Sequence, residues 1–218
     1  MSLTLHYHPL SSFCQKALIG LYEADVPFNK NIVDLANERE RAVLQKLWPM
    51  GKFPVLSDDA RERTLPESTI ILEYLDQYYA PRGRLLPSDP ERARECRLRD
   101  RFFDWYINVP MGKIVTDRLR PAGQHDAFGV EQARAQLQTA YDLAEAQFCD
   151  GEWAIGCEFS MADCAAAPAL LYAQQVLPFS AAHGRLAAYY RRLTQRPSFA
   201  RVLEEVKPFW SMFPAQAR

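Results

Sequence analysis

The sequence has no hydrophobic run of the roughly 18 residues that a membrane-spanning helix requires, and its N-terminus lacks a basic stretch followed by an apolar core. From these absences we expect a cytoplasmic protein without a membrane partner. A dominant charge is missing as well, because 26 basic and 27 acidic side chains nearly cancel and no long run of one sign occurs. Nothing therefore indicates binding to nucleic acid, and a small or weakly charged ligand is favoured.

Cysteine pairs are also lacking. The five cysteines are widely spaced, with no C-x-x-C motif and no histidine at the spacing of metal ligands. We therefore expect neither a disulfide framework nor a metal site, and we expect most of these side chains to be small buried apolar groups. The cysteines are Cys14, Cys96, Cys149, Cys157 and Cys164.

The first 80 residues alternate between short strand-like and helix-like patterns. Alternating apolar residues predict a strand over Leu3–Tyr7, and apolar residues at helical spacing predict a helix after it. Further patterns predict a strand at Phe28–Val33, a charged helix at Glu38–Leu47, a hairpin, and a helix that opens near Ser68. The order β-α-β-α-β-β-α permits one parallel and one antiparallel strand pair. We therefore predict a small α/β domain with a mixed sheet over residues 1–80.

Proline and glycine mark a boundary after this domain. Residues 81–90 hold three prolines and one glycine, which is typical of a linker. Beyond it the sequence shows only helical patterns, beginning with a helix that Asp89 caps and Pro90 opens, with a kink expected at Pro110. We predict an all-helical domain over residues 91–218.

Three motifs of the first domain stand at junctions between its elements: Pro9–Lys16 (PLSSFCQK), Trp48–Leu56 (WPMGKFPVL) and Leu65–Ile71 (LPESTII). With the domain order and the chain length, they resemble the cytosolic glutathione S-transferase family. The first motif is similar to the serine-type classes, which include theta, delta and zeta, in a bacterial-style member. The resemblance covers essentially the whole chain. It implies a thioredoxin-like N-terminal domain, glutathione as co-substrate without a metal, and a homodimer.

The resemblance implies that Ser11 is the catalytic residue. In the serine-type classes a hydroxyl lies near the sulfur of glutathione, and a cysteine thiol with a pKa of about 8.5 is only a few per cent thiolate near neutrality. A hydrogen-bond donor and the positive end of a helix both favour the thiolate. We therefore expect Ser11 to donate a hydrogen bond to that sulfur and not to act as a nucleophile. Two alternatives remain open: that Ser11 only caps the first helix, and that Ser12 is the donor.

The other two motifs imply the rest of the glutathione site. In the family the proline at the position of Pro54 is cis, so that the backbone of Phe53 can pair in strand fashion with the cysteinyl unit. Lys52 is expected to meet the glycine carboxylate, with an ordinary solvated lysine as the alternative. Glu67 suits the ammonium of the γ-glutamyl unit, and Ser68, at a helix start, suits its carboxylate. A plain helix start is the alternative for this motif.

The second substrate of the family is an electrophile, which binds between the domains. Aromatic and other apolar residues of the helical half are candidates for its lining, which favours a hydrophobic compound. Another pair in this half, Ser160 and Asp163, is expected to form a capping box with a role in folding. The candidates for the electrophile site are Phe103, Tyr106, Met111 and Trp210, together with Phe209 and Phe213.

Three functions are compatible with these features. The first is a glutathione transferase, favoured by the complete set of Ser11, Pro54, Glu67 and Ser68. The second is a thiol-disulfide oxidoreductase that uses Cys14, although such enzymes place cysteine where Ser11 stands. The third is a non-catalytic module that keeps the fold for ligand carriage or protein assembly, because fold alone does not determine function.

Overall fold

A four-stranded mixed sheet forms the centre of the N-terminal half. The computed structural model describes residues 3–80, 85–148 and 151–214, so that residues 81–84 of the predicted linker and Cys149 lie outside the described residues. The strands are β1 (Leu3–Tyr7), β2 (Phe28–Ile32), β3 (Val55–Asp58) and β4 (Arg63–Pro66). The strand order is β2-β1-β3-β4, with β1 parallel to β2 and antiparallel to β3, and β3 antiparallel to β4.

Three helices cover the two faces of this sheet. They are α1 (Ser12–Glu23), α2 (Glu38–Leu47) and α3 (Ser68–Tyr78). Alternate residues of β1 are buried, because side chains point to opposite faces along a strand. One face shares the main core with α1 and α3, whereas Leu44 of α2 packs in a separate small cluster. The predicted thioredoxin-like α/β fold is confirmed.

The described residues of the second half form helices. They are α4 (Pro90–Phe102), α5 (Val109–Asp117), α6 (Ala127–Gln147), α7 (Met161–Gln174), α8 (Gly184–Gln195) and α9 (Pro197–Val206), with a π-helical segment at Phe103–Asn108 and a 3-10 segment at Lys207–Met212. The prediction of an all-helical second domain is confirmed. Pro110 stands in the first turn of α5, directly after the π-helical segment, and because it has no amide hydrogen it cannot continue the regular hydrogen-bond ladder. The kink expected there stays a prediction.

Helix α7 is the central element of the helical half, and residues 161–173 are all buried. It starts with the predicted capping box, in which the Asp163 carboxylate accepts the Ser160 N–H at 2.9 Å. The same carboxylate accepts the Ala154 N–H at 2.8 Å and the Tyr189 hydroxyl at 2.7 Å. Asp163 therefore has the folding role that the sequence predicts. Because α7 packs against both α1 and α4, it also joins the two halves of the chain.

Candidate functional site

The three motifs meet at one edge of the sheet. His6 of β1 pairs with Val55 of β3, and Val55 pairs with Pro66 of β4. The end of β1, the start of β3 and the end of β4 therefore lie side by side. The loop to α1, the turn before β3 and the junction to α3 all leave from this edge, which brings the predicted glutathione-binding residues of the three motifs together.

Ser11 is the N-terminal cap of α1. Its backbone is extended, and its Oγ accepts the N–H of Cys14 at 3.3 Å. This bond satisfies one of the amide hydrogens that a helix leaves free at its N-terminus. It occupies an oxygen lone pair of the hydroxyl and leaves the hydroxyl hydrogen available to another acceptor. Ser12 is the first residue of the helix and does not serve as its cap.

The turn before β3 contains a cis peptide bond between Phe53 and Pro54. The cis geometry that the resemblance implies is therefore confirmed. Pro54 is buried, Phe53 is half-buried, and Lys52 is exposed. The structure thus places Phe53 beside the loop of β1, with the Lys52 ammonium free to reach a ligand from solvent.

Glu67 has an unusual backbone conformation at the junction of β4 and α3, with φ of 71° and ψ of 117°. A residue with a Cβ atom is strained there by about 1–3 kcal/mol, and such residues cluster at ligand sites. The Glu67 side chain is exposed, whereas Ser68, the first residue of α3, is only 5% exposed. An exposed acidic side chain therefore stands directly before the first residue of α3.

His8 is a member of the site that the sequence analysis missed. Its Nδ1 accepts the N–H of Leu10 at 3.2 Å, so the neutral ring carries its proton on Nε2. The ring stacks on Phe53 with centroids 6.1 Å apart and meets the edge of Phe209 at 5.7 Å. Burial lowers the pKa of His8, opposed by the charge of Asp34. In the sequence, a single histidine beside a proline does not indicate that its ring will pack on Phe53 and Phe209.

Gln15 fixes the loop that carries Ser11. This fully buried side chain donates from Nε2 to the carbonyl of Pro9 and to the hydroxyl of Tyr172, both at 2.8 Å. Pro9 stands two residues before Ser11, and Tyr172 lies on α7. The loop is therefore tied to the helical half of the chain. A glutamine on the apolar face of a helix could have indicated a buried polar contact, although not its partner.

A buried ionic cluster lies beneath the site. The Lys16 ammonium of α1 lies 2.6 Å from Asp100 and 2.8 Å from Asp104, and it donates to the Thr69 hydroxyl at 2.8 Å. The Thr69 hydroxyl donates in turn to Asp100 at 2.9 Å. Arg101, half exposed, bonds to both carboxylates. Because Thr69 follows Ser68, the cluster joins the helix that Ser11 caps to the helix that Ser68 begins.

The residues predicted to line the electrophile site differ in their burial and in their neighbours. Phe103 has no exposed surface and packs against Phe102 and Tyr189, and Met111 is only 6% exposed. Tyr106 is 63% exposed, but its ring packs against Phe102. Phe103 and Met111 therefore offer almost no surface to a substrate, and Tyr106 stays a prediction.

The C-terminal aromatic residues, by contrast, lie next to the loop of β1 and α1. Trp210 and Phe213 both stack on Tyr172, at centroid distances of 5.8 and 5.5 Å. The Tyr172 hydroxyl accepts a hydrogen bond from Gln15, and the Phe209 ring contacts His8. The structure thus brings Phe209, Trp210 and Phe213 close to the predicted glutathione site.

The Cys14 thiol is fully buried, and its sulfur accepts the backbone N–H of His8 at 3.5 Å. Burial raises the pKa of Cys14 to about 12, against the hydrogen bonds that favour the thiolate. At neutral pH this group is therefore a thiol without access to solvent. Such a group does not meet the requirements of a redox-active cysteine.

Within residues 3–80, 85–148 and 151–214, no cluster of three metal-ligating side chains occurs and no helix has the length and apolarity to cross a bilayer. A cavity of about 740 Å³ lies at the opposite end of α1, where Glu23, Trp153 and Arg196 line it. The sheet edge remains the candidate site.

Comparisons with known proteins identify the family of the chain. The family model described as glutathione S-transferase, N-terminal domain, matches residues 5–83, and the model for the C-terminal domain of the same family matches residues 127–192. The chain is 25% identical to glutathione S-transferase GstB of Escherichia coli K12, over 92% of this chain and 97% of that protein. It is 30% identical to a stringent starvation protein A homolog of Pasteurella multocida, over 92% and 90%.

Solved structures give the same result for the fold. A glutathione S-transferase from Methylobacillus flagellatus, with glutathione bound, superposes with a TM-score of 0.84 at 24% identity, over 92% of this chain and 98% of the other. A second, from Methylobacterium radiotolerans in complex with glutathione sulfonate, gives 0.81 at 24% identity over 100% and 98%. With both domain models matched and a relative 30% identical over nearly the full length, the chain belongs to the glutathione S-transferase family.

Proposed function

We propose that this chain binds glutathione at the sheet edge and activates its thiol as a thiolate for attack on an electrophilic, largely apolar substrate. The observation that carries the proposal is the bond from the Cys14 N–H to the Ser11 hydroxyl oxygen. Because the hydroxyl accepts in this bond, its own hydrogen can rotate toward the sulfur of glutathione. Helix capping and thiolate stabilisation are thus compatible roles for the same side chain.

The chemistry follows from this hydrogen bond. A hydrogen bond to a charged group contributes about 1.5–3 kcal/mol, which lowers the pKa of the thiol by about one to two units. The N-terminus of α1 acts in the same direction through its positive dipole end. The thiol proton passes to solvent. The thiolate then forms the carbon–sulfur bond, and the leaving group departs with the electrons of the bond that breaks.

The glutathione contacts are proposed from the three junctions. The backbone of Phe53 pairs with the cysteinyl unit, and the exposed Lys52 meets the glycine carboxylate. Ser68, at the start of α3, binds the γ-glutamyl carboxylate, while Glu67 binds the ammonium. Two relatives of known structure carry glutathione or its sulfonate, which supports this ligand.

A cytoplasmic homodimer is part of the same proposal. Two exposed apolar side chains supply surface for a second copy: Ile70 of α3, which is 49% exposed, and Leu98 of α4, which is 62% exposed. The ion pair of Arg97 and Glu73 joins these two helices, so that both side chains belong to one continuous surface.

A non-catalytic binding module is the second candidate. The observation that favours it is the relative named stringent starvation protein A homolog, because that name states no transferase activity. The redox alternative loses support, since Cys14 is buried and its raised pKa keeps it a thiol.

Calorimetric titration with glutathione, combined with conjugation of 1-chloro-2,4-dinitrobenzene, separates these functions. We expect the wild type to bind glutathione and to turn over. Ser11→Ala should keep binding and lose most of its turnover, whereas the matched control Ser12→Ala should keep both. Binding without turnover of any electrophile in the wild type would support the carrier function. Turnover that depends on Cys14 and not on Ser11 would support the oxidoreductase.

A further inference from the structure

Two arginines, Arg118 and Arg134, have no carboxylate partner among the residues that the structure describes. The Nη1 of Arg118, at the end of α5, donates to the carbonyl of Pro214 at 3.0 Å, and the Nη1 of Arg134, on α6, donates to the carbonyl of Val176 at 2.8 Å. Within the described part of the chain, neither guanidinium forms an ion pair. The Nη2 of Arg118 lies out of contact with solvent and has no hydrogen-bond partner.

This situation differs from that of Arg196 and Arg101, whereas the half-buried Arg192 likewise donates to backbone carbonyls. Arg196 forms a bidentate pair with Glu23, at 2.8 and 2.6 Å, and Arg101 bonds to two aspartates. The carboxylate nearest in sequence to Arg118 is Asp117, which is already engaged by His125 and Arg120. The described residues therefore supply no carboxylate partner for Arg118 or Arg134.

The two guanidiniums belong to neighbouring helices, because α5 packs against α6. Burial lowers the pKa of Arg118, and the nearby charge of Arg134 lowers it further. Two like charges in a half-buried place repel, and removing charge from water is unfavourable unless an opposite charge compensates. A bound anion between the two arginines would offset both their mutual repulsion and the partial loss of their hydration. A carboxylate suits this place, because a guanidinium group binds it with two parallel hydrogen bonds.

Aromatic surface lies directly beside this charge. Phe213 immediately precedes Pro214, whose carbonyl accepts the hydrogen bond from Arg118. The Phe213 ring stacks on Tyr172 and on Trp210, with centroids 5.5 and 5.4 Å apart. Tyr172 reaches the loop of Ser11 through Gln15. The aromatic stack therefore connects the loop of Ser11 with the carbonyl to which Arg118 donates.

We propose that the second substrate is an aromatic compound with a carboxylate, whose ring packs against Trp210 and Phe213 and whose carboxylate binds Arg118 and Arg134. This inference rests on the proposed function for the identity of the reaction. It goes beyond that function because it names an anionic class of electrophile where the motifs alone indicate only an apolar one.

Binding of a matched pair of probes tests the anion site without any turnover. The probes are 4-nitrobenzoate and 4-nitrobenzamide, which differ in charge and little in shape, titrated calorimetrically into the full chain. We expect the wild type to bind the benzoate about tenfold more tightly or better, as for a charge-assisted hydrogen bond. Arg118→Gln and Arg134→Gln should each bring the two affinities close together. Arg120→Gln is the matched control, because Arg120 is paired with Asp117, and it should keep the preference.

Two outcomes overturn the proposal: equal affinity of the wild type for the two probes, or loss of the preference in Arg120→Gln. Circular dichroism establishes that each variant is folded, and two independent arginine variants keep the test valid if one is not. Glutathione itself carries carboxylates, so its affinity is measured in the same variants. A fall in glutathione affinity in Arg118→Gln, with the probe preference unchanged, would assign the arginines to glutathione instead.

Conjugation of 4-chloro-3-nitrobenzoate and 4-chloro-3-nitrobenzamide then links the site to the reaction. In both, sulfur displaces chloride from the ring. Arg118→Gln should raise KM for the benzoate about tenfold and leave the benzamide unchanged. If neither compound is conjugated while the benzoate still binds preferentially, the proposed transferase function fails and the anion site stands. If both are conjugated equally in the wild type, the transferase stands and the anionic substrate class is wrong.

Discussion

The ammonium of Lys16 lies 2.6 Å from the carboxylate of Asp100, and both side chains are shielded from solvent. Lys16 belongs to the helix that Ser11 caps, and Asp100 belongs to the first helix of the helical half. Asp100 also accepts the hydroxyl of Thr69, beside Ser68. One ion pair therefore ties together the two helix N-termini that we assign to the thiol and the γ-glutamyl ends of glutathione.

Removal of Lys16 should destabilise the chain strongly. Lys16→Met leaves two buried carboxylates, those of Asp100 and Asp104, with less compensating charge, and breaking a buried pair typically costs about 3–5 kcal/mol. We expect a loss of that size in the free energy of unfolding, measured by urea denaturation. Arg97→Gln is the control, because the exposed pair with Glu73 should contribute less than about 1 kcal/mol. Equal effects of the two substitutions would contradict this account.

Glu67 should show a conflict between stability and binding. Glu67→Gly removes a strain of about 1–3 kcal/mol and adds an entropic cost of about 0.5–1 kcal/mol, so the free energy of unfolding should not fall. Glutathione affinity should fall about tenfold, because the charged partner of the ammonium is lost. Glu67→Gln is the matched variant, which should lose affinity without gaining stability. A destabilised Glu67→Gly protein would show that the conformation is not strained.

Cysteine labelling should separate buried from exposed thiols. In the native protein at neutral pH we expect iodoacetamide to modify the exposed Cys157 and to leave Cys14 unmodified, as read by peptide mass spectrometry. The reason is that the thiolate is the reacting species, and burial raises the pKa of Cys14 to about 12. Unfolding in urea should expose both. Labelling of Cys14 as fast as Cys157 would restore the oxidoreductase as a candidate.

Acid should destabilise the chain partly through Asp58. Burial by itself raises the pKa of this carboxyl, but hydrogen bonds from Tyr74, at 2.6 Å, and from Tyr79 outweigh burial and hold the pKa below its ordinary value of 3.8. A folded-state pKa below the unfolded one contributes stability that is present above about pH 4 and is lost as the pH falls through the folded value. We expect the free energy of unfolding of the wild type to fall more steeply below about pH 4 than that of Asp58→Asn. Tyr74→Phe should give an intermediate slope, and parallel curves for all three proteins would contradict the assignment.

The order of strands and helices could be predicted because each element has a regular pattern and clear end signals. Alternation marks β1, and Asp89 with Pro90 marks the start of α4. The cis bond at Pro54 came only from the resemblance, since local sequence does not distinguish the isomers.

The environment of single side chains could not be predicted in this way. Phe103 and Trp210 are both aromatic residues in helical segments, yet one is fully buried in the core and the other stacks beside the site. The π-helical segment after Phe102 changes the number of residues per turn, so that α-helical spacing no longer predicts which side chains face the candidate site. The surroundings of Lys16 and Arg118 could not be predicted either, because they are formed by distant parts of the chain. Lys16 pairs with Asp100, whereas the Nη2 of Arg118 has no hydrogen-bond partner.

The pKa of the glutathione thiol in the bound state tests the central claim most directly. Thiolate absorbance of the complex is titrated against pH for the wild type, Ser11→Ala and Ser12→Ala. We predict that Ser11→Ala raises this pKa by about one to two units, as expected for the loss of a hydrogen bond to a charged sulfur, whereas Ser12→Ala leaves it unchanged. An unchanged thiol pKa in Ser11→Ala, with glutathione still bound, would contradict the account.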